Sequence, residues 1–288
     1  MKIIVPNLQI PILHDVAQCL ESIKEVASLS PLLWNVQNKP LLDLCDETHP
    51  DIIFLHVSQL DIAFAMACHE FNFQYILIGE GVPNNLPRPP VAILSTQEFL
   101  HHFPKEYNVI QIKNGARVTQ IHNAQYDQDI ECDVLVHTTD VNLTSQIFDI
   151  LYFLVSRYST KIIGESPVSL HHYLGEVTMF ERANFIKSSK VIIDLNGQDM
   201  WDASYLKVPA LCAQASTAPF LHFNDVTTLK SQIDMMLENN NSRDSYVDTC
   251  YTNVCNGNTY YHLTAKVFNS INNNIAEHLN NYIEGLIG

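Results

Sequence analysis

Two doubly wound α/β domains, each built on a parallel sheet, are what this sequence predicts. Three observations carry the prediction. Short β-branched apolar runs alternate with amphipathic segments of helical period along most of the chain. That order gives parallel sheets covered by helices on both faces. The 288 residues fit two domains of about 130–150 residues each. A polar, acidic, aperiodic stretch at residues 123–131 separates two such halves, and the linker is placed there.

In the first half, Lys2 to Val5 reads as a strand ended by Pro6 and the loop to Pro11. A helix follows over about 12–26, with Leu13, Val16, Leu20 and Ile23 on one face. Further strands are expected at 31–36, 51–57, 74–78 and 91–94, with helices at 41–47, 62–71 and 97–102. Val109 to Ile121 breaks the alternation. Its apolar period of two on both sides of Asn114-Gly115 predicts a β-hairpin closing the sheet.

The second half opens with a strand at 133–137 and the loop Thr138-Thr139-Asp140. A helix to Arg157, a strand at 161–163, and helices at 168–173 and 180–187 follow. Val191 to Leu195 is apolar without alternation, as a strand covered on both faces should be. A turn at Asn196-Gly197-Gln198, a short helix carrying Asp202 and a strand from Ala210 come next. An amphipathic helix ends near Leu237, Asn239 to Asn241 reads as solvated loop, and 265–287 is helical in period.

Composition excludes several classes. With 31 acids against 16 bases the net charge is −15, which argues against nonspecific nucleic-acid binding. The 47% of apolar residues is ample for two cores. Seven cysteines are scattered with no C-x-x-C, which suggests reduced thiols in the cytoplasm. The short apolar run at the amino terminus is a strand and no signal peptide. The longest apolar run, Ile147 to Val155, contains Asp149 and is far short of a membrane span. Thirteen histidines include the adjacent pairs His101-His102 and His171-His172, but no H-x-x-x-H or H-E-x-x-H, so no metal site is expected.

Ligands of open α/β sheets bind at the carboxyl ends of the strands. Asp202 would lie there on the helix after Val191 to Leu195. Its carboxylate could accept hydrogen bonds from two ribose hydroxyls, or it could be a first-turn acid favoured by the helix dipole. Backbone amides at Asn196, Gly197 and Trp201 could meet a phosphate. Gly197 reads equally as a turn residue, and Trp201 as core. Asp194, inside the strand, reads as a buried acid bonded to backbone. Lys161, Arg182, Lys187, Lys190 and Lys207 are the cations that a diphosphate could use. In the first half, His14 lies just after the first loop and can act as a general base. It could also be an ordinary surface histidine near a helix start. Glu80, between Gly79 and Gly81, is the competing base. Thr138, Thr139 and Asp140 lie on the loop after the second half's first strand.

The residue order from 132 to 270 resembles the C-terminal half of GT-B glycosyltransferases of the CgeB-like, family 1 type. The segment Met200-Trp201-Asp202-Ala203-Ser204-Tyr205-Leu206-Lys207-Val208 is similar to the family's R-x-F-E-A-L-A-C-G. Asn258-Thr259-Tyr260-Tyr261-His262-Leu263 is similar to its H-T-Y-x-x-R. Tyr173-Leu174-Gly175-Glu176-Val177 and Ser188-Ser189-Lys190 resemble the family's Y-x-G-x-V and its approach to the strand. The departures are Met200 for Arg, Asp202 for Glu, Val208 for Gly, Asn258 for His and Leu263 for Arg. The resemblance implies two Rossmann-like domains facing a cleft, with boundaries at 1–131, 132–270 and 271–288. The last helix would cross back to the first domain. It implies a nucleotide-sugar donor of UDP type as co-substrate, held by Asp202, Asn196, Gly197, Trp201, Thr138 and Thr139, and no other cofactor. Catalysis would fall to His14 or Glu80, and Tyr260 would fix the crossing segment. The expected activity is sugar transfer to an unidentified hydroxyl acceptor. The departures point alternatively to a degraded relative acting as a binding or scaffold protein, and a different two-domain α/β binder, such as a nucleotide-sugar epimerase or a small-ligand sensor, is a third possibility.

Overall fold

The computed structural model describes residues 1–7, 11–37, 39–79, 86–95, 107–111, 115–139, 141–142, 144–164, 172–195, 197, 199–213 and 219–287. The chain begins with β1 (Lys2–Pro6), α1 (Pro11–Ser22), β2 (Ser30–Trp34), α2 (Leu41–Thr48), β3 (Ile52–His56), α3 (Ile62–Glu70), β4 (Gln74–Ile78), β5 (Ala92–Ser95) and β6 (Val109–Gln111). It continues through α4 (Val118–Ile121), β7 (Cys132–His137), α5 (Ser145–Arg157), β8 (Thr160–Ile163), α6 (Met179–Lys187) and β9 (Ser189–Asp194). Then come α7 (Asp199–Tyr205), β10 (Ala210–Cys212), β11 (Leu221–His222), α8 (Val226–Glu238) and α9 (Asn240–Cys255). The last elements are α10 (Tyr260–Asn269) and α11 (Asn273–Ile287).

Two compact units result: Met1–Lys113 with Tyr260–Gly288, and Asn114–Thr259. The first holds a six-stranded parallel sheet in the order β2-β1-β3-β4-β5-β6. Its inner strands are buried along nearly their whole length, which is why they need helices on both faces. Ile4, Ile53, Leu55, Tyr75 and Leu77 meet Phe64, Ala67 and Leu44 of the covering helices. The carboxyl-terminal segment completes this unit. Phe268 packs against Phe54 with ring centroids 6.3 Å apart, and the Tyr261 hydroxyl donates to Ser22 Oγ at 2.9 Å. Tyr260 is buried in the first turn of α10.

The second unit holds a five-stranded parallel sheet in the order β11-β10-β9-β7-β8. Val134, Val136, Val191 and Ile193 pack with Leu151, Leu154, Leu229 and Ile233 of α5 and α8. The chain leaves β7 for β8 on one side and returns past β7 to β9 on the other. That reversal leaves a crevice at the carboxyl ends of β7 and β9, the place where open α/β sheets hold ligands. Gly164, just after β8, has φ +104, and a Cβ there would lie 2.6 Å from the Thr139 backbone nitrogen. Only glycine lets these two strand ends approach so closely.

Three expectations are corrected. The hairpin is absent: Val109–Gln111 pairs in parallel with β5, and Val118–Ile121 is helical. The boundary falls at 113/114 and the return at 259/260, not at 131/132 and 270/271. The physical reason lies in where 115–131 makes its bonds. The Arg117 and Gln125 amides donate to Asp202 and Asn184, and that of Asp127 donates to Ser188. The Asn239 to Asn241 stretch is no loop. Asn239 ends α8, and its side chain accepts from the Ser242 amide at 3.0 Å, capping α9. The helix at 97–102 and most of the one at 168–173 lie outside the described residues.

Candidate functional site

The carboxyl edge of the second sheet carries a buried cluster of charges. Asp202 is fully buried on α7. Its Oδ1 accepts from the Arg117 amide at 2.9 Å, and its Oδ2 pairs with the Arg182 guanidinium of α6. The same guanidinium lies 3.0 Å from Asp199 Oδ1. Asp199 Oδ2 lies 2.8 Å from Nδ1 of His137, the last residue of β7. Two carboxylates therefore share the charge of Arg182, with Arg117 Nη1 at 3.8 Å from Asp202. Burial pushes the Asp199 carboxyl up, but Arg182, the His137 bond and Arg117 outweigh it and hold it down to about 2. An ionised carboxylate only accepts hydrogen bonds, so His137 carries its proton on Nδ1 and turns Nε2 away from Asp199.

This arrangement corrects the reading of Asp202 as a carboxylate facing a cleft. Both its oxygens are engaged inside the second unit. Asp194 is likewise buried, accepting from the amides of Gly197 and Met200, both at 2.8 Å. Gly197 has φ +78 and makes the turn after β9. Trp201 is core: it meets Phe220 edge-on at 4.9 Å, and its Nε1 has no partner among the described residues. The Thr138 hydroxyl donates to the Ile163 carbonyl at 3.1 Å, while Thr139 lies against Gly164. The left-handed residue after α7 is Lys207, φ +59. Asn196, Glu80 and Asp140 lie outside the described residues.

Each expected phosphate-binding cation already has a partner. Lys161 and Lys187 donate to the carbonyls of Asp129 and Leu206. Lys190 pairs with Asp133, and Lys207 Nζ lies 4.4 Å from the centre of the Tyr251 ring. Sequence reading missed His137, Asp199 and Arg117. The signal for His137 was its place at the end of an apolar strand; nothing local marked Arg117, whose partner is 85 residues away.

In the first unit His14 is exposed on the first turns of α1, with Nε2 2.8 Å from the Gln18 amide nitrogen. It lines an open groove of about 340 Å³ with Val5, Ala17, Gln18, Leu32 and Leu33. Among the described residues no group of three or more His, Cys, Asp and Glu is placed to hold a metal ion. No described helix is long and apolar enough to cross a membrane.

Two Rossmann-like units, each built on a parallel sheet, with the terminal helices belonging to the first, define the GT-B class of fold. Solved structures of that class match nearly the whole chain. A glycosyltransferase from Rickettsia africae aligns with TM-score 0.64 and 10% identity, over 94% of this chain and 98% of that one. Anabaena HepE in complex with UDP-glucose aligns with TM-score 0.63 and 11% identity, over 94% and 99%. The UDP-GlcNAc 2-epimerase of Neisseria meningitidis bound to UDP-GlcNAc gives 0.58 and 10%, over 94% and 99%. At such identities the likeness is one of fold. No family model matches the sequence. No curated protein matches it either.

Proposed function

We propose that the protein is a nucleotide-sugar-dependent glycosyltransferase, with a UDP-type donor held by the second unit and a hydroxyl acceptor. What carries this reading is the full-length GT-B architecture, similar over both units to proteins solved with UDP-glucose and UDP-GlcNAc. The donor would lie at the carboxyl ends of β7 and β9. There the Gly197 turn and the Thr138-Thr139 backbone offer close approach, and closed sites exclude the water that would hydrolyse a donor. His14 is assigned to taking the acceptor proton, with Glu80 the competing base.

A second reading has its own observation. Asp202 and five candidate cations are engaged within the protein. A GT-B relative without turnover, acting as a binding or scaffold protein, accounts for that directly. A panel of nucleotide sugars, assayed for release of nucleoside diphosphate with and without candidate hydroxyl acceptors, separates the two. The transferase reading expects acceptor-dependent release from one donor, lost in His14→Ala. Nucleotide binding without release supports the second reading.

A further inference from the structure

We infer that His137 is a ligand-contacting residue of the second unit, meeting a nucleotide phosphate through Nε2 while Asp199 sets its orientation. The inference rests on the nucleotide reading above and names a residue that reading does not contain. Position comes first. His137 ends β7 where the chain's connections diverge, at the crevice of this sheet. Orientation is the second observation. The Nδ1 contact with Asp199 at 2.8 Å takes up one nitrogen, and the ring keeps partial exposure, 12% of its side chain. A carboxylate behind an imidazole fixes which nitrogen faces outward, as in triads and metal sites. Electrostatics is the third. Arg182 is paired with Asp199 and Asp202, and the lysines considered for phosphate are bonded elsewhere. A diphosphate at this crevice needs a partner, and Nε2 is the ring nitrogen that the Asp199 contact leaves for it.

The alternative is that His137 only links β7 to α7. Two substitutions distinguish the roles. In His137→Asn the amide nitrogen can replace Nδ1 as donor to Asp199, and nothing replaces Nε2. His137→Gln reaches further and can replace Nε2. UDP affinity of the full chain is measured by calorimetry, with unfolding of each unliganded variant as control. The ring nitrogens of histidine-labelled wild type are followed by NMR during the same UDP titration. The expected results are about tenfold weaker UDP binding by His137→Asn, a smaller loss in His137→Gln, and movement of the His137 Nε2 resonance as UDP saturates. Equal affinity of wild type and His137→Asn, with a stationary resonance, overturns the inference and leaves the nucleotide reading intact. If either variant fails to fold, the wild-type resonance decides alone. Absence of UDP binding by wild type removes both.

Discussion

Asp202 gives up its two oxygens to groups of its own unit, one to a backbone amide and one to a guanidinium. A buried ion pair adds little net stability, but removing one partner strands the other. Asp202→Asn is therefore expected to lower stability by roughly 3 kcal/mol, read from the midpoint of urea unfolding. An unchanged midpoint with weakened nucleotide binding would instead restore the ribose-binding role. Lys207 offers a cleaner test of backbone strain. A left-handed non-glycine residue costs about 1–2 kcal/mol. Glycine and alanine both lose the contact with Tyr251, and only alanine keeps the strain. Lys207→Gly should exceed Lys207→Ala in stability by about 1 kcal/mol in denaturant titrations.

At the scale of elements, apolar parallel strands were the most legible part of the sequence. β4 was expected over 74–78 and is found there, and β3, β5, β7 and β9 differ by a residue or two. Their signal is local: a run of β-branched residues bounded by turns. Helix α9 escaped because its buried set, Val247, Cys250 and Val254, is a narrow stripe on an otherwise polar helix. Asn239 was readable as a cap only once a helix was expected after it. Asn239→Ala should cost about 1 kcal/mol, seen as a lower unfolding midpoint. The hairpin expectation failed for the opposite reason. Asn-Gly is a strong turn signal, but Val118 and Ile121 are buried in a helical turn whose cap residue, Arg117, is tied by its amide to Asp202. That bond spans 85 residues and leaves no trace in local pattern.

At the scale of the whole molecule, the two-sheet architecture and the return of the last helix were foreseen, the return of α10 with it was not, and the site was only outlined. The crevice could be located from strand ends, yet the fate of each acid and cation there depended on partners distant in sequence. One consequence is an acid limit. The Asp199 carboxyl is held below its ordinary 3.8, at about 2, in the folded state. A depressed carboxyl stabilises the fold above the unfolded value and loses that contribution as pH falls through the folded one. Stability should therefore fall between about pH 4 and pH 2, and Asp199→Asn should flatten that part of the profile in thermal unfolding scans.

Nucleotide binding by the second unit is the claim on which the functional account turns, and the melting temperature of the whole protein with UDP and UDP-sugars tests it most directly. A ligand at about 100 times its dissociation constant adds about 2.7 kcal/mol by mass action. For a chain of this size that corresponds to a rise of about 4–5 °C, saturating with concentration. That result is the one predicted, with the rise reduced at equal concentration in His137→Asn. A folded protein whose melting temperature stays fixed across the whole panel would contradict the account.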